Sequence, residues 1–535
     1  MLLTGGYWAW SNCSVLASRD GGASWTVMAN ASAGWGLRCG GNEGDRAVGD
    51  RLAAHPDPAR AGLFAVGGSD GRVYVAVDGF AAGPPARVQL PPPAAAGACD
   101  PTKNASCVVR SVLWLPTAAA GGPTLLLAAV PALGLFASPG PDYADAATWT
   151  FVAGSDGPAS LNRLAAVPAQ PARLWATAQR GGIWSGTVAA DGASWRVTWD
   201  VAGALADEGV PFSGVAVRDG GRDVVVMSML ESSNTSIFRS VDGGANFARA
   251  NWSVTSLVPW WGQRDYNTGL NAASSLAFDP LAEAGGAAPE LWATDFFGAY
   301  RADASPGAAA LSFVNVEAGH EEVCMNTIRA PAVGDLLSGA ADVGGWRHDA
   351  GPGAWPASTM KAADGWAHNC VFNIDLTLRV APSGASADVI WVTAGDEYGS
   401  CHGAPSWCGL HSWIGFSRDG GATFADTTWD SVYAVDQANP YRVAVHPYNG
   451  AKAVVIARKG LPVTYTRDYG ATWANSSGGV DSCGEQGNFW FAQPLATERQ
   501  IDEAAPEATI YYYNGTTTRV SPPHEPSQPP PPTDF

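Results

Sequence analysis

SRDGGATF at 417–424 and TRDYGATW at 466–473 decide the fold. Both fit the pattern S/T-x-D-x-G-x-x-W/F, which recurs as SRDGGASW at 18–25 and SVDGGANF at 240–247. In such a turn the aspartate carboxylate accepts backbone N–H groups of its own loop, as Asx-turns do. Glycine supplies a positive φ without a Cβ clash, and the closing aromatic packs beneath the hairpin. The pattern is the Asp-box, a self-contained turn between two strands. Asp419 and Asp468 stand 49 residues apart, about the length of one four-stranded propeller blade. Looser copies lie near Asp78, Asp142, Asp191 and Asp295, as AVDGF, PDYADAATW, ADGASW and ATDFFGAYR. At roughly 45–50 residues per blade, the chain holds about eleven blades. A single ring holds roughly four to eight, so two β-propellers in tandem are implied.

Between the boxes run short apolar segments bounded by Gly, Pro, Asp and Asn. VYVAVDGF (73–80), LLLAAVPALGLFAS (125–138), DVVVMSML (223–230), VIWVTAG (389–395) and AVVIARKG (453–460) read as strands with turn punctuation. No long stretch keeps a helical period, so the chain is all-β. The expected division is a first propeller over 1–312, lacking its opening blade and a half, and a partial second propeller over 313–520. The proline-rich SPPHEPSQPPPPTDF at 521–535 reads as a coreless tail.

Composition narrows the partners. Of 535 residues, 46% are hydrophobic and 15% charged, with a formal net charge of −18. Such a surface repels phosphate backbones and anionic membranes, which leaves neutral ligands, carbohydrate foremost. The 23 tryptophans suit that reading, because sugar rings stack on indole, although most are expected to be core residues. Nine cysteines include two close pairs, Cys99 with Cys107 and Cys401 with Cys408, spaced for loop-closing disulfides. Asn12, Asn30, Asn104, Asn234, Asn251, Asn475 and Asn514 each begin N-x-S/T, seven of nineteen asparagines. These features predict secretion. The opening MLLTGGYWAW has neither a basic n-region nor an apolar core, so a missing front end is expected. No run of eighteen apolar residues is present, and no membrane span is predicted.

Three longer segments resemble glycoside hydrolase family 74, the xyloglucan-cleaving endo-β-1,4-glucanases. RCGGNEGDRAVGDRLAAHPDP at 38–58 is similar to the family's loop GGNE-x-GR-x-x-GERLAVDP. VEAGHEEVCMNTIRAPAVGDLLSGAADVGGWRHD at 316–349 is similar to GIEE…SLRSP…LLSG-x-GD-x-x-G-x-x-H-D. HNCVFNIDLTLRVAPSGASADVIWVTAG at 368–395 fits the next blade in outline. LAFDP at 276–280, with Trp260 and Trp261 upstream, resembles the family's WW…DP strand.

The resemblance implies an inverting glycosidase. Such enzymes set a protonated carboxyl against a water-activating carboxylate about 6.5–9.5 Å away. The acid falls on Asp342, with Ala341 where the family has glycine. Asn42, Arg46, Trp260, Trp261, Glu321, Glu322, Trp346, His348 and Trp407 are the implied substrate-binding residues. The family's base lies in an N-terminal TDIGGAYR element, which is expected to be missing upstream. ATDFFGAYR at 293–301 echoes it through Asp295 and Tyr300, but reads as the same strand–turn position of a repeated blade. Each assigned residue also has a structural reading, as a turn cap or a core side chain.

The rival is a glycan- or protein-binding propeller without catalysis, such as a sortilin-like ectodomain. Sortilin-type propellers continue into a cysteine-dense module, a sialidase needs an arginine cluster, and a photosystem assembly factor is one propeller. No metal-ligand constellation or phosphate loop stands out, so no metal or cofactor is expected. The expected partner is a polysaccharide, bound by a monomer with no nucleic acid and no membrane.

Overall fold

Strands form where apolar runs can be covered on both faces. Phe64–Gly67 and Asp223–Ser228 are buried along their whole length, and Thr124–Val130 is buried after its first residue. Neighbouring sheets close over such second strands from either side, which is why they read as continuous rather than alternating apolar runs. Outer strands lose that cover: Ala248–Arg249, Ala425–Asp426 and Ala474–Asn475 are exposed throughout.

The computed structural model describes strands at 2–5, 14–17 and 26–30 and, apart from intervening loops, residues 51–475. Its seven sheets resolve into nine consecutive blades, since two of the sheets each join a pair. Blades 1 to 6 span 2–30, 52–89, 111–153, 161–202, 212–249 and 275–315, and blades 7 to 9 span 325–359, 370–426 and 440–475. Blades 3 and 4 join where their fourth strands pair in parallel, Val152 opposite Trp195. Blades 7 and 8 join at Gly344 opposite Cys370. Within each blade, successive strands pair antiparallel, as in Ser111–Pro116 with Thr124–Val130. Among the described residues, blade 6 carries a fifth strand, Asn251–Ser256, parallel to its fourth, Ala310–Asn315. Three-residue 3-10 turns lie at Pro58–Arg60, Ala146–Thr148 and Asp219–Gly221.

The chain divides into two compact units, Met1–Val258 with Asn267–Glu322, and Pro259–Tyr266 with Val323–Phe535. The expected division at 312 falls inside strand Ala310–Asn315, which completes blade 6. The second segment of the first unit ends at Glu322. In both units the first strands of successive blades lie against one another, as in a propeller. The cores sit between blades. Val73 and Val75 of blade 2 pack with Leu126 and Phe136 of blade 3. Leu337 of blade 7 packs with Val371 and Ile374 of blade 8, and Trp391 with Val443 and Val455 of blade 9.

Side chains on the first strands bond to the backbone of the next blade. Ser111 Oγ accepts from Leu164 N at 3.1 Å, and Asn162 Nδ2 donates to Phe212 O at 3.2 Å. In the second unit Asn326 Nδ2 donates to Val371 O at 3.0 Å. There Asn373 Oδ1 accepts from Val443 N at 3.1 Å and Asp375 Oδ2 from Val445 N at 2.9 Å. Arg163, fully buried, reaches past blade 5 to donate to Leu276 O at 3.0 Å. Desolvation pulls its guanidinium down to about 9.

The three described box turns close alike. Asp419 Oδ1 accepts from Thr423 N at 2.9 Å, and Ser417 Oγ accepts from Gly421 N at 2.9 Å. Asp468 and Thr466 repeat this with Thr472 and Gly470, and Asp242 and Ser240 with Asn246 and Gly244. All three turns join third to fourth strands. The looser copy at Asp295 does not: it joins the second and third strands of blade 6, Glu290–Thr294 and Ala299–Asp303. Asp295 is therefore no Asp-box position. The box position of that blade follows Asp303, whose carboxylate accepts from Ser305 N at 2.8 Å.

Candidate functional site

The segment most similar to a catalytic element spans the hairpin of blade 7. Its strands, Leu336–Ala340 and Gly344–His348, pair with Ala340 opposite Gly344 and Leu336 opposite His348. Gly339 and Gly345 face each other in this register, and a Cβ on either would collide with Val371, at 2.4 Å and 2.7 Å. The hairpin therefore lies hard against the first strand of blade 8. Gly344 opens the returning strand at φ +91°, a left-handed conformation that favours glycine. The strands of LLSGAADVGGW are thus closely seated, with residues 341–343 between them in sequence. Asp342 itself lies outside the described residues, as do Asn42, Arg46, Trp260, Trp261, Glu321, Glu322 and Trp407.

Trp346 and His348 are described, and the strand carries both onward from Gly344. Trp346 is only 3% exposed, in the middle of the strand opposite Ser338 and Thr359. Its indole belongs to the blade core and has no open face for a sugar. His348 ends the strand, four residues from Gly344, or about 13 Å at strand rise. Its Nε2 pairs with Ser338 Oγ at 2.8 Å. Burial lowers its imidazole pKa, while the Asp349 charge acts in the opposite direction. Around it Arg347 bridges Asp335 at 3.3 Å and Asp349 at 3.6 Å, and Ser358 Oγ donates to Asp349 at 2.8 Å. This ionic group closes the far end of the hairpin.

Turns between second and third strands repeat one device that motif reading passed over. In blade 2, Asp70 Oδ1 accepts from Arg72 N at 3.3 Å and Oδ2 from the Tyr74 hydroxyl at 2.7 Å. Burial first, then that carboxylate, push the Tyr74 phenol up to about 12. In blade 6, Asp295 Oδ1 accepts from Gly298 N at 2.8 Å and Oδ2 from the Tyr300 hydroxyl at 3.1 Å. The common sequence signal is an aspartate followed by tyrosine four or five residues on, as in SDGRVY and TDFFGAY. In blade 7 the same spacing reads DVGGW, so Trp346 stands four residues after Asp342, as Tyr74 does after Asp70. An indole has no phenol hydroxyl to give. Among the described residues, no group of three or more His, Cys, Asp or Glu could hold a metal ion.

Solved structures resemble this chain across most of its length. The GH74 enzyme of Niastella koreensis matches with a TM-score of 0.58 at 16% identity, over 94% of this chain and 65% of that one. The GH74 xyloglucanase of Xanthomonas campestris matches with a TM-score of 0.59 at 18% identity, over 89% of this chain and 65% of that one. The chain thus spans less than two thirds of either enzyme's length, and the likeness shows the tandem β-propeller fold. No protein-family model matches the sequence, and no curated protein matches it.

Proposed function

We propose that this chain is a glycoside hydrolase of the xyloglucanase type. It would cleave the β-1,4-glucan backbone of xyloglucan or a related cell-wall polysaccharide with inversion, Asp342 serving as general acid. The observation that carries this reading is the contrast among three turn aspartates. Asp70 and Asp295 each hold a tyrosine hydroxyl and a backbone N–H, bonds that fix these carboxylates within their own turns. At Asp342 the tyrosine is replaced by tryptophan. An indole offers no phenol hydroxyl to a neighbouring carboxylate, and a general acid must keep its proton near working pH. Two GH74 enzymes share the fold, and a neutral glucan suits a chain of net charge −18. On this reading Trp260, Trp261 and Trp407 stack on sugar rings, and Asn42, Arg46, Glu321 and Glu322 hold hydroxyls. The protein works outside the cell as a monomer.

The test is reducing-sugar release from xyloglucan by the full chain and by Asp342→Asn, with oligosaccharide binding followed by calorimetry. Loss of the acid should cut turnover by about 10²–10⁴ while binding persists. Undiminished turnover by D342N would reject the assignment. One observation favours a second reading, a glycan-binding propeller without turnover: Asp295, the nearest likeness to the family's base, caps its own turn. Tight binding with no turnover by the unsubstituted chain, and none after a segment bearing a TDIGGAYR-like element is added, would decide for it.

A further inference from the structure

The seven sequons are unused by the proposed chemistry, and the structure sorts them. Three follow an Asp-box directly: Asn30 after Asp20, Asn251 after Asp242 and Asn475 after Asp468. Each of these lies on a strand that ends its sheet: Thr26–Asn30, Asn251–Ser256 and Ala474–Asn475. The second is the longest of the described outer edges, among which Thr26–Asn30 has five residues and Ala86–Gln89 four. Ala248–Arg249, Ala425–Asp426 and Ala474–Asn475 end their sheets with two residues each. Asn251–Ser256 ends its sheet with six, alternating exposed and half-buried. A long, regular edge presents a row of backbone groups to which another strand can add. Asn251 and Ser253, the two essential sequon residues, are both exposed and stand on the same face of this strand.

We propose that Asn251 is an N-glycan attachment site and that its glycan guards the open edge of blade 6. The reaction joins the Asn251 carboxamide nitrogen to C1 of the first N-acetylglucosamine of a polyprenyl-pyrophosphate oligosaccharide. The C1–O bond to pyrophosphate breaks, the lipid pyrophosphate leaves with the bonding pair, and the amide nitrogen releases one proton. The compartment that supplies this donor is oxidising, and Cys107 is disulfide-bonded, as that compartment requires. Nothing here depends on hydrolysis, so the proposal stands or falls apart from the enzymatic reading.

The test is to secrete the full chain from a eukaryotic host behind a heterologous leader. Peptide mass spectrometry, with enzymatic glycan release in heavy-oxygen water, then reads each sequon. The expected result is a glycan on Asn251 that is lost equally in Asn251→Gln and Ser253→Ala. Removing glycans enzymatically from the folded protein should then shift it from monomer to concentration-dependent oligomers in light scattering. This arm covers the case in which the variants fail to fold. An unmodified Asn251 in secreted, folded protein would overturn the site. A deglycosylated protein that stays as monomeric as the native one would overturn the guarding role.

Discussion

Asp223 holds two guanidinium groups at once. Arg218 Nε donates to it at 2.6 Å, and Arg239 donates through two nitrogens at 2.9 Å and 2.8 Å. Both arginines also donate to Ala304 O, at 3.1 Å and 2.8 Å, which ties blade 5 to the turn after the third strand of blade 6. The Asp223 carboxylate is only 5% exposed. Asp223→Ala therefore leaves two largely buried cations without their counter-charge and should cost about 3–5 kcal/mol, read from the denaturant midpoint. Replacing both arginines by methionine in the same variant should recover much of that loss; no recovery would mean that the loss is one of packing. Asp295 is a milder case, since the Gly298 amide and the Tyr300 hydroxyl that donate to it are neutral groups. Asp295→Ala should cost about 1–2 kcal/mol of stability and leave glucan turnover unchanged. A collapse of turnover in the folded variant would make it the base.

At the scale of elements the box turn is a local device, and its carboxylate titrates as one. At Asp242 the Ser240 hydroxyl, then the Asn246 carboxamide and amide, pull the carboxyl down to about 2. Its folded pKa lies below its unfolded one, so its contribution is complete above roughly pH 5 and is lost as pH falls toward about 2. The stability gap between the native chain and Asp242→Ala should thus be flat near neutrality and close in acid. A gap that stays constant down to pH 2 would place the effect elsewhere. Locality also explains what could be read without coordinates. Aspartate to i+4 amide bonds are written within eight residues, so SRDGGATF and TRDYGATW announce their turns. The turn at Asp295 imitates the same letters in the wrong hairpin, because glycine and aromatic residues after an aspartate also suit a second-to-third-strand turn. Trp346 looks like a sugar platform in the sequence, but it is buried within its blade, and no local sequence signal records that. The bonds from first strands to the next blade span 45 to 70 residues and leave no local signature.

For the molecule as a whole, every core cluster described above is built from consecutive blades, and each unit carries its own. Unfolding should therefore depart from a single cooperative step, with a calorimetric enthalpy above the van't Hoff value. Equal enthalpies would show one cooperative body. The bonds from first strands to neighbouring blades have a consequence for how such chains change over generations. In the pairs Ser111 to Leu164 N, Asn326 to Val371 O and Asn373 to Val443 N, a side chain addresses the neighbour's main chain. A main chain offers the same amide and carbonyl whatever residue it carries. The joint is thus indifferent to the neighbour's identity, and substitution on one side demands no matching change on the other. Architecture built from such joints is free to drift, and 16–18% identity to enzymes of the same fold is what that freedom permits.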